Sequence, residues 1–305
     1  MGGARAATRL TTMGLDINSA LFLISARKQG VNFGDVLMLG RQELNVYPAK
    51  MEKELARNGL LTGPFPKAGR ECAWAEPFFE ALGAKTISAL DASDFEGARL
   101  VHDLNQPIGP EFRERFDVVF DGGTLEHVFN FPVALKNCME MLRVNGRLFI
   151  HNCANNLCGH GFYQFSPELF FRALSPENGF EVERIYVHVI GPYGRWHQVA
   201  DPHDVGSRVL LLTATPIQIL VQARRTAVKP IFAQFPFQSD YGRMWEDHVV
   251  KKPEGAVSNE PPDYGFMARH FPGIGRLVHG VRIGFKFYAG QSLHNRRFYR
   301  PVKKP

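Results

Sequence analysis

The chain has 305 residues, 45% hydrophobic and 22% charged, which is ample to bury a core and too apolar for wholesale disorder. Its formal charge of +6 invites a nucleic-acid or membrane reading. Nine basic residues and no acid fall in residues 264–305, however, leaving 27 basic against 30 acidic before them. Four cysteines, Cys72, Cys138, Cys153 and Cys158, are too few for a disulfide scaffold, so a reducing, cytoplasmic location is expected. No run approaches the roughly eighteen apolar residues of a membrane span.

Residues 1–12, with Arg5 and Arg9, read as a loose leader, and 1–30 as leader plus first helix. Asp16-Ile17-Asn18-Ser19 offers helix-start chemistry, and Ala20 to Lys28 continues it toward Gly30. Asp35 to Gly40 is a short apolar run closed by glycine, a buried strand. Tyr47 to Asn58 and Trp74 to Leu82 read as helices, each stopped by glycine, with a Pro/Gly loop between at 63–69. Lys85 to Asp91, Arg99 to Leu104 and Phe116 to Asp121 read as strands. Phe131 to Leu142 is a helix with Val133, Leu135, Met139 and Leu142 on one side. Asn145-Gly146 is a turn and Arg147 to His151 a strand. Ser166-Pro167-Glu168 starts a helix with a hydroxyl cap, a first-turn proline and an acid at the positive helix end. Glu183 to Ile190 and Arg208 to Thr213 complete the expected strands. Ile217 to Thr226 reads as a helix, and 251–263 as a linker.

Strands alternating with helices imply an α/β fold with a mostly parallel sheet. In such sheets ligands sit beyond the carboxyl ends of the strands, where strand order reverses. Three expected strands end in a carboxylate on that edge: Asp91, Asp103 and Asp121. The segment Phe116-Asp-Val-Val-Phe-Asp-Gly-Gly-Thr-Leu-Glu-His-Val-Phe-Asn130 is followed by Met141-Leu-Arg-Val-Asn-Gly-Arg-Leu-Phe-Ile150 and by Gly159-His-Gly-Phe-Tyr-Gln-Phe-Ser-Pro-Glu168. Together these resemble class I S-adenosylmethionine-dependent methyltransferases of the bacterial stand-alone type. The resemblance covers roughly residues 30–215 and implies a Rossmann-like seven-stranded sheet with helices on both faces. The domain is taken as 31–215, and 216–305 as a C-terminal extension, basic from 264.

The resemblance implies S-adenosylmethionine as cofactor. Asp91 would accept from its ribose hydroxyls, Asp103 or the backbone around Leu104 would meet its adenine amine, and Asp121-Gly122 with the first-strand loop would meet its methionine part. That loop, Gly40-Arg41-Gln42, departs from the family pattern. Gly40 matches the first glycine, but Gln42 stands where a further glycine would allow close backbone approach. A catalytically degenerate binding or scaffold protein is therefore a second reading. Methyl transfer needs a positioned acceptor, and for oxygen or nitrogen often a base. His127, His160 and Tyr163 are expected to face it. The acceptor implied is a small molecule or glycan.

Other chemistries lack their signatures. The run His151-x-Cys153-x4-Cys158-x-His160 lacks paired zinc-ligand spacing, so no metal site is expected. No phosphate-cradling loop, nucleophile elbow or Gly-x-Gly-x-x-Gly is present, the last weighing against a nicotinamide-dependent reductase. Asp121-Gly-Gly-Thr is not the Asn/Asp-Pro-Pro-aromatic run of DNA amino-methyltransferases. No nucleic-acid partner is expected. Ile274, Leu277, Val278 and Val281 have helical spacing in a basic context, so peripheral membrane contact is an alternative to docking. Phe285, Phe287, Tyr288, Phe298 and Tyr299 favour an extension docked on the body.

Overall fold

The computed structural model describes residues 14–61, 63, 65–66, 74–242 and, apart from 282–283, 286–287 and 289, residues 280–305. The leader, the linker at 251–263 and most of the amphipathic stretch at 274–282 lie outside these residues.

Helix α1 (Ile17–Lys28) starts where Asp16 accepts from Asn18 N at 2.9 Å and Ser19 N at 2.8 Å, satisfying donors that a helix start leaves open. It is buried along most of its length, with Phe22 edge-on to Phe149 and Trp196. Strand β1 (Asp35–Leu39) follows, then α2 (Pro48–Arg57), α3 (Glu76–Ala81), β2 (Thr86–Asp91), the two-residue β3 (Leu100–Val101), β4 (Phe116–Asp121), α4 (Phe131–Met141), β5 (Leu142–Asn155) and α5 (Pro167–Ala173). At α5 the expected hydroxyl cap is present, Ser166 accepting from Glu168 N at 3.2 Å. Strands β6 (Phe180–Val189) and β7 (Trp196–Val199), the short helix α6 (Pro202–Val205), β8 (Ile217–Arg225) and β9 (Tyr299–Val302) complete the chain.

The strands form one sheet in the order β3-β2-β1-β4-β5-β8-β6-β7-β9. From β3 to β5 every pair is parallel. Strand β8 runs antiparallel between β5 and β6, and β7 and β9 continue antiparallel. Alternate residues of β1 feed opposite cores: Val36 and Met38 pack with α1 and α3, while Leu37 and Leu39 pack with α4 and α5. Helices thus cover both faces, as the α/β reading implies.

Three expectations are corrected. The sheet has nine strands among the described residues, not seven. Residues 217–225 are a strand, not a helix: all but Arg224 are buried, and a segment covered on both faces shows neither a period of 2 nor one of 3.6. Residues 208–213 are not a strand, because β8 occupies the place between β5 and β6. The 208–213 segment instead runs alongside, with Leu211 O accepting from Asn155 and Leu210 O from the Tyr299 hydroxyl. The sheet therefore crosses the expected boundary at 215. The Asn145-Gly146 turn appears as an irregularity within β5, with Asn145 at φ +68° and a register shift opposite β4.

The chain's end is part of this sheet. Tyr299 is fully buried, β9 pairs with β7, and the Lys304 ammonium donates to Asn18 at 2.7 Å. Phe298 is buried as well, whereas Phe285 and Tyr288 are exposed. No helix among the described residues is long and apolar enough to cross a membrane.

A buried polar group lies where β5 and β6 approach α1. The rings of His151 and His188 stack at 5.6 Å, and His151 Nδ1 lies 3.8 Å from Asp16. Burial, helped by His151, pushes His188 down to about 4. The unfolded imidazole takes a proton as pH falls through 6.5, while the buried ring resists until about 4. Stability is therefore lost as pH falls between those values, by about 3 kcal/mol in all. Urea unfolding should show about 2 kcal/mol less stability at pH 5 than at pH 7. His188→Leu should remove most of that difference.

Candidate active site

The strand order reverses between β1 and β4, which creates a crevice at their carboxyl ends. Leu39 of β1 pairs with Leu90 on one side and Asp121 on the other, so the loops after β1, β2 and β4 meet there. Gly40 has φ +67° and donates its N–H to Leu90 O at 2.8 Å. A Cβ at this position would lie 3.2 Å from Thr124 Oγ1 and 3.8 Å from Asp91 Oδ2. Gly40, Asp91 and Thr124 thus line one small space. Thr124 escaped the sequence reading; its hydroxyl donates to Leu39 O at 2.7 Å.

The other expected cofactor residues divide. Asp91, half-buried at the end of β2, accepts from Ala92 N through one oxygen, which leaves the other beside Gly40. Asp103 is exposed and accepts from Asn105 through backbone N and side chain; the backbone hydrogen bond comes first in holding its carboxyl below the usual range. Leu104 is buried, its carbonyl accepting from Asn137. Arg41 bonds Glu76 at 2.7 Å and stacks over Trp74 at 4.5 Å. There it lines a cleft of about 680 Å³ shared with Trp74, Glu76, Ala89, Gly97 and Arg99. Gln42 is buried, donates to Leu39 O, and lies against Gly122 so closely that a Cβ there would displace its amide. Its amide occupies the space that a second loop glycine would leave open.

Asp121 is fully buried. One oxygen accepts from Thr124 N at 2.8 Å and Leu125 N at 3.2 Å, and the other from Asn152 at 2.9 Å. Its acceptor capacity is largely spent on shaping the turn that follows β4. That 3-10 turn, Leu125–His127, carries Glu126 inward. The Glu126 side chain is fully buried, with Oε2 accepting from the same Asn152 amide at 2.6 Å. Burial, reinforced by Asp121, pushes Glu126 up to about 8, and burial pushes Asp121 up as well. Burial with Glu126 and Asp121 pushes the Cys153 thiol up to about 12, so it is no nucleophile at neutral pH.

His127 and His160 converge on Glu126. His160 Nε2 lies 3.5 Å and His127 Nε2 3.7 Å from Glu126 Oε1, with the two rings 5.5 Å apart. His127 is half exposed; burial, then His127, holds His160 below its ordinary value. The loop carrying His160 is pinned by Phe162 N donating to Glu126 O at 2.8 Å. Gly161 permits this, because a Cβ would stand 2.7 Å from that same oxygen. Tyr163 donates its hydroxyl to Phe129 O at 2.6 Å, so its oxygen is left as an acceptor rather than a free donor. Phe129 and Phe162, both exposed, meet edge to face at 5.7 Å beside this group. The expected His127 and His160 are thus brought together, and Glu126 and Asn152 join them. Glu126 stands in the quoted Glu-His run, but nothing in a three-residue turn told that its side chain points inward.

The parallel half-sheet, the switch-point crevice and the Asp-Gly-Gly-Thr-Leu-Glu-His turn resemble class I S-adenosylmethionine-dependent methyltransferases. No family profile matches the chain. A ubiquinone biosynthesis O-methyltransferase from Parvibaculum lavamentivorans is 34% identical over 93 residues, 27% of this chain and 36% of that protein. The chain therefore matches about a third of that relative's length. Among solved structures, a 1,6-didemethyltoxoflavin-N1-methyltransferase from Burkholderia thailandensis is 14% identical, covering 69% of this chain and 80% of the other, with a TM-score of 0.36. A branched-chain polyamine synthase from Thermus thermophilus is 15% identical, covering 77% and 64%, with a TM-score of 0.38.

Proposed function

We propose that this protein transfers a methyl group from S-adenosylmethionine to an oxygen or nitrogen of a small-molecule or glycan-type acceptor. The observation that carries the reading is the convergence of Gly40, Asp91 and Thr124 at the switch point. Gly40 allows the backbone to come close, and a Cβ there would press on the other two. A carboxylate oxygen beside it suits a vicinal diol, so the residues fit the cofactor. Asp91 would hold the ribose, the loop around Asp103 and Leu104 the adenine, and the Gly40-Arg41-Gln42 loop with Gly122 the remainder. Asp121 shapes the turn beneath.

When bound, the cofactor supplies an electrophilic methyl group on a sulfonium. The chain's own work is to orient the acceptor and manage its proton. His127, half exposed beside Glu126, would face the acceptor. Tyr163 Oη can accept a hydrogen bond from the acceptor while its own proton stays on Phe129 O. Phe129 and Phe162 offer an apolar ledge on which a ring or sugar face can rest.

The catalytically degenerate reading is favoured by one observation, the Gln42 amide packed against Gly122. Calorimetry with S-adenosylhomocysteine separates the two. Micromolar binding is expected, with Asp91→Ala weakening it about 10- to 100-fold and leaving thermal stability unchanged, as for loss of a charge-assisted hydrogen bond. No binding to a cooperatively folding protein would leave only the degenerate reading.

A further inference from the structure

Glu126 Oε1 and His160 Nε2 are buried, and among the described residues neither has a hydrogen-bond partner. Their separation of 3.5 Å, and that of 3.7 Å to His127 Nε2, exceed a hydrogen bond between these atoms. An orphaned carboxylate oxygen in the core is costly, and here a second buried carboxylate, Asp121, shares the same Asn152 amide. The arrangement is not the accident of a loose loop, since Gly161 and the Phe162 N–H lock His160 against Glu126. One ligand atom from each of Glu126, His127 and His160 lies within 4.8 Å of the others. Ligands about 2.1 Å from a tetrahedral ion stand roughly 3.4 Å apart. The two measured separations already match this, and the half-exposed His127 is free to close the third.

We infer that Glu126, His127 and His160 form a three-ligand site for a divalent transition-metal cation of the zinc or cobalt kind, with a coordination position left open. Two imidazoles and one carboxylate favour such ions over magnesium, which prefers oxygen ligands. Three protein ligands and an open position are the pattern of a working metal rather than a structural one. Asn152 is a positioning residue that fixes the carboxylate from behind. From the sequence no metal site is expected, and the run weighed for one was that from His151 to His160. Of that run only His160 belongs to this group; Cys153 and Cys158 do not. A further consequence rests on the methyltransferase reading: the open position selects an acceptor bearing a hydroxyl able to ligate the cation.

The test uses the full chain stripped with chelator. Titration with zinc by calorimetry should show one equivalent bound at micromolar affinity or better, and cobalt should give a visible ligand-field spectrum. Glu126→Gln and His160→Ala should each weaken binding roughly a hundredfold, and Cys158→Ser should leave it unchanged. His127→Ala, a half-exposed position, supplies the same readout if Glu126→Gln fails to fold. Absence of stoichiometric binding, or binding untouched by these variants, overturns the site. S-adenosylhomocysteine titrated into the metal-free protein keeps the two readings apart. Cofactor binding without metal binding overturns the metal site alone. Metal binding without cofactor binding supports the site and overturns the methyltransferase reading alone.

Discussion

Replacing Asn152 by alanine is expected to lower the melting temperature by about 6 °C. One side-chain amide donates to Asp121 at 2.9 Å and to Glu126 at 2.6 Å, and all three residues are buried. Its carbonyl accepts from Cys153 N at 2.7 Å. Losing both hydrogen bonds from one amide and stranding two buried carboxyl groups costs about 3–5 kcal/mol. At about 1.6 °C per kcal/mol for a chain of this size, the shift is about 6 °C. The coupling is testable in a double-mutant cycle. In a Glu126→Gln background the amide no longer separates two acids, so Asn152→Ala should cost less than it does in the parent. Additive effects of the two changes would mean that Asn152 does not bridge the pair. Both measurements belong in chelator, so that bound metal does not enter the comparison.

The second large effect lies at the other end of the sheet. Tyr299→Ala should cost about 3–5 kcal/mol, as for other buried aromatic truncations. Tyr299 is fully buried against the core that holds Ile185 and Val199, and its hydroxyl donates to Leu210 O at 3.1 Å. Tyr299→Phe keeps the ring and loses one hydrogen bond, about 1 kcal/mol. Deleting residues 299–305 should be at least as damaging as the alanine variant, because it also removes the pairing from Trp196 to Val199 and the Lys304 contact with Asn18. Denaturant unfolding of the three variants ranks them. A deletion that unfolds like the parent would show that β9 is not integral. A membrane-binding test that simply removes residues 264–305 would therefore measure unfolding as well as loss of charge. Charge-reversal of exposed basic residues such as Arg296 and Arg300 is the cleaner design.

Much of the parallel half was legible because its signals are local. Asp16 and Ser166 cap helices, glycine ends α2 and α3, and apolar runs closed by an acid mark β2 and β4. Strand β8 was not, because burial on both faces erases the alternation that distinguishes strand from helix. The segment 208–213 has strand composition but no free partner, and pairing is decided by the whole sheet rather than by the segment. At the site, the strand-end acids and both histidines could be named from their positions. Glu126, Asn152 and Thr124 could not. Their importance comes from which way a short turn and a strand end rotate their side chains, and neither has a periodicity to read.

The placement of β8 also sets the order in which the chain can become a protein. Residues 180–189 leave the ribosome without a neighbour, since the strand that joins them to β5 begins only at Ile217. The far edge stays open until residues 299–302 are made. Contacts of such long sequence separation are slow to form and leave strand edges bare meanwhile. The N-terminal half can assemble as it emerges, from β1 through β5. The nascent chain therefore carries the uncovered edge of β5 until β8 arrives, and that interval is when it most needs protection from pairing with its own copies.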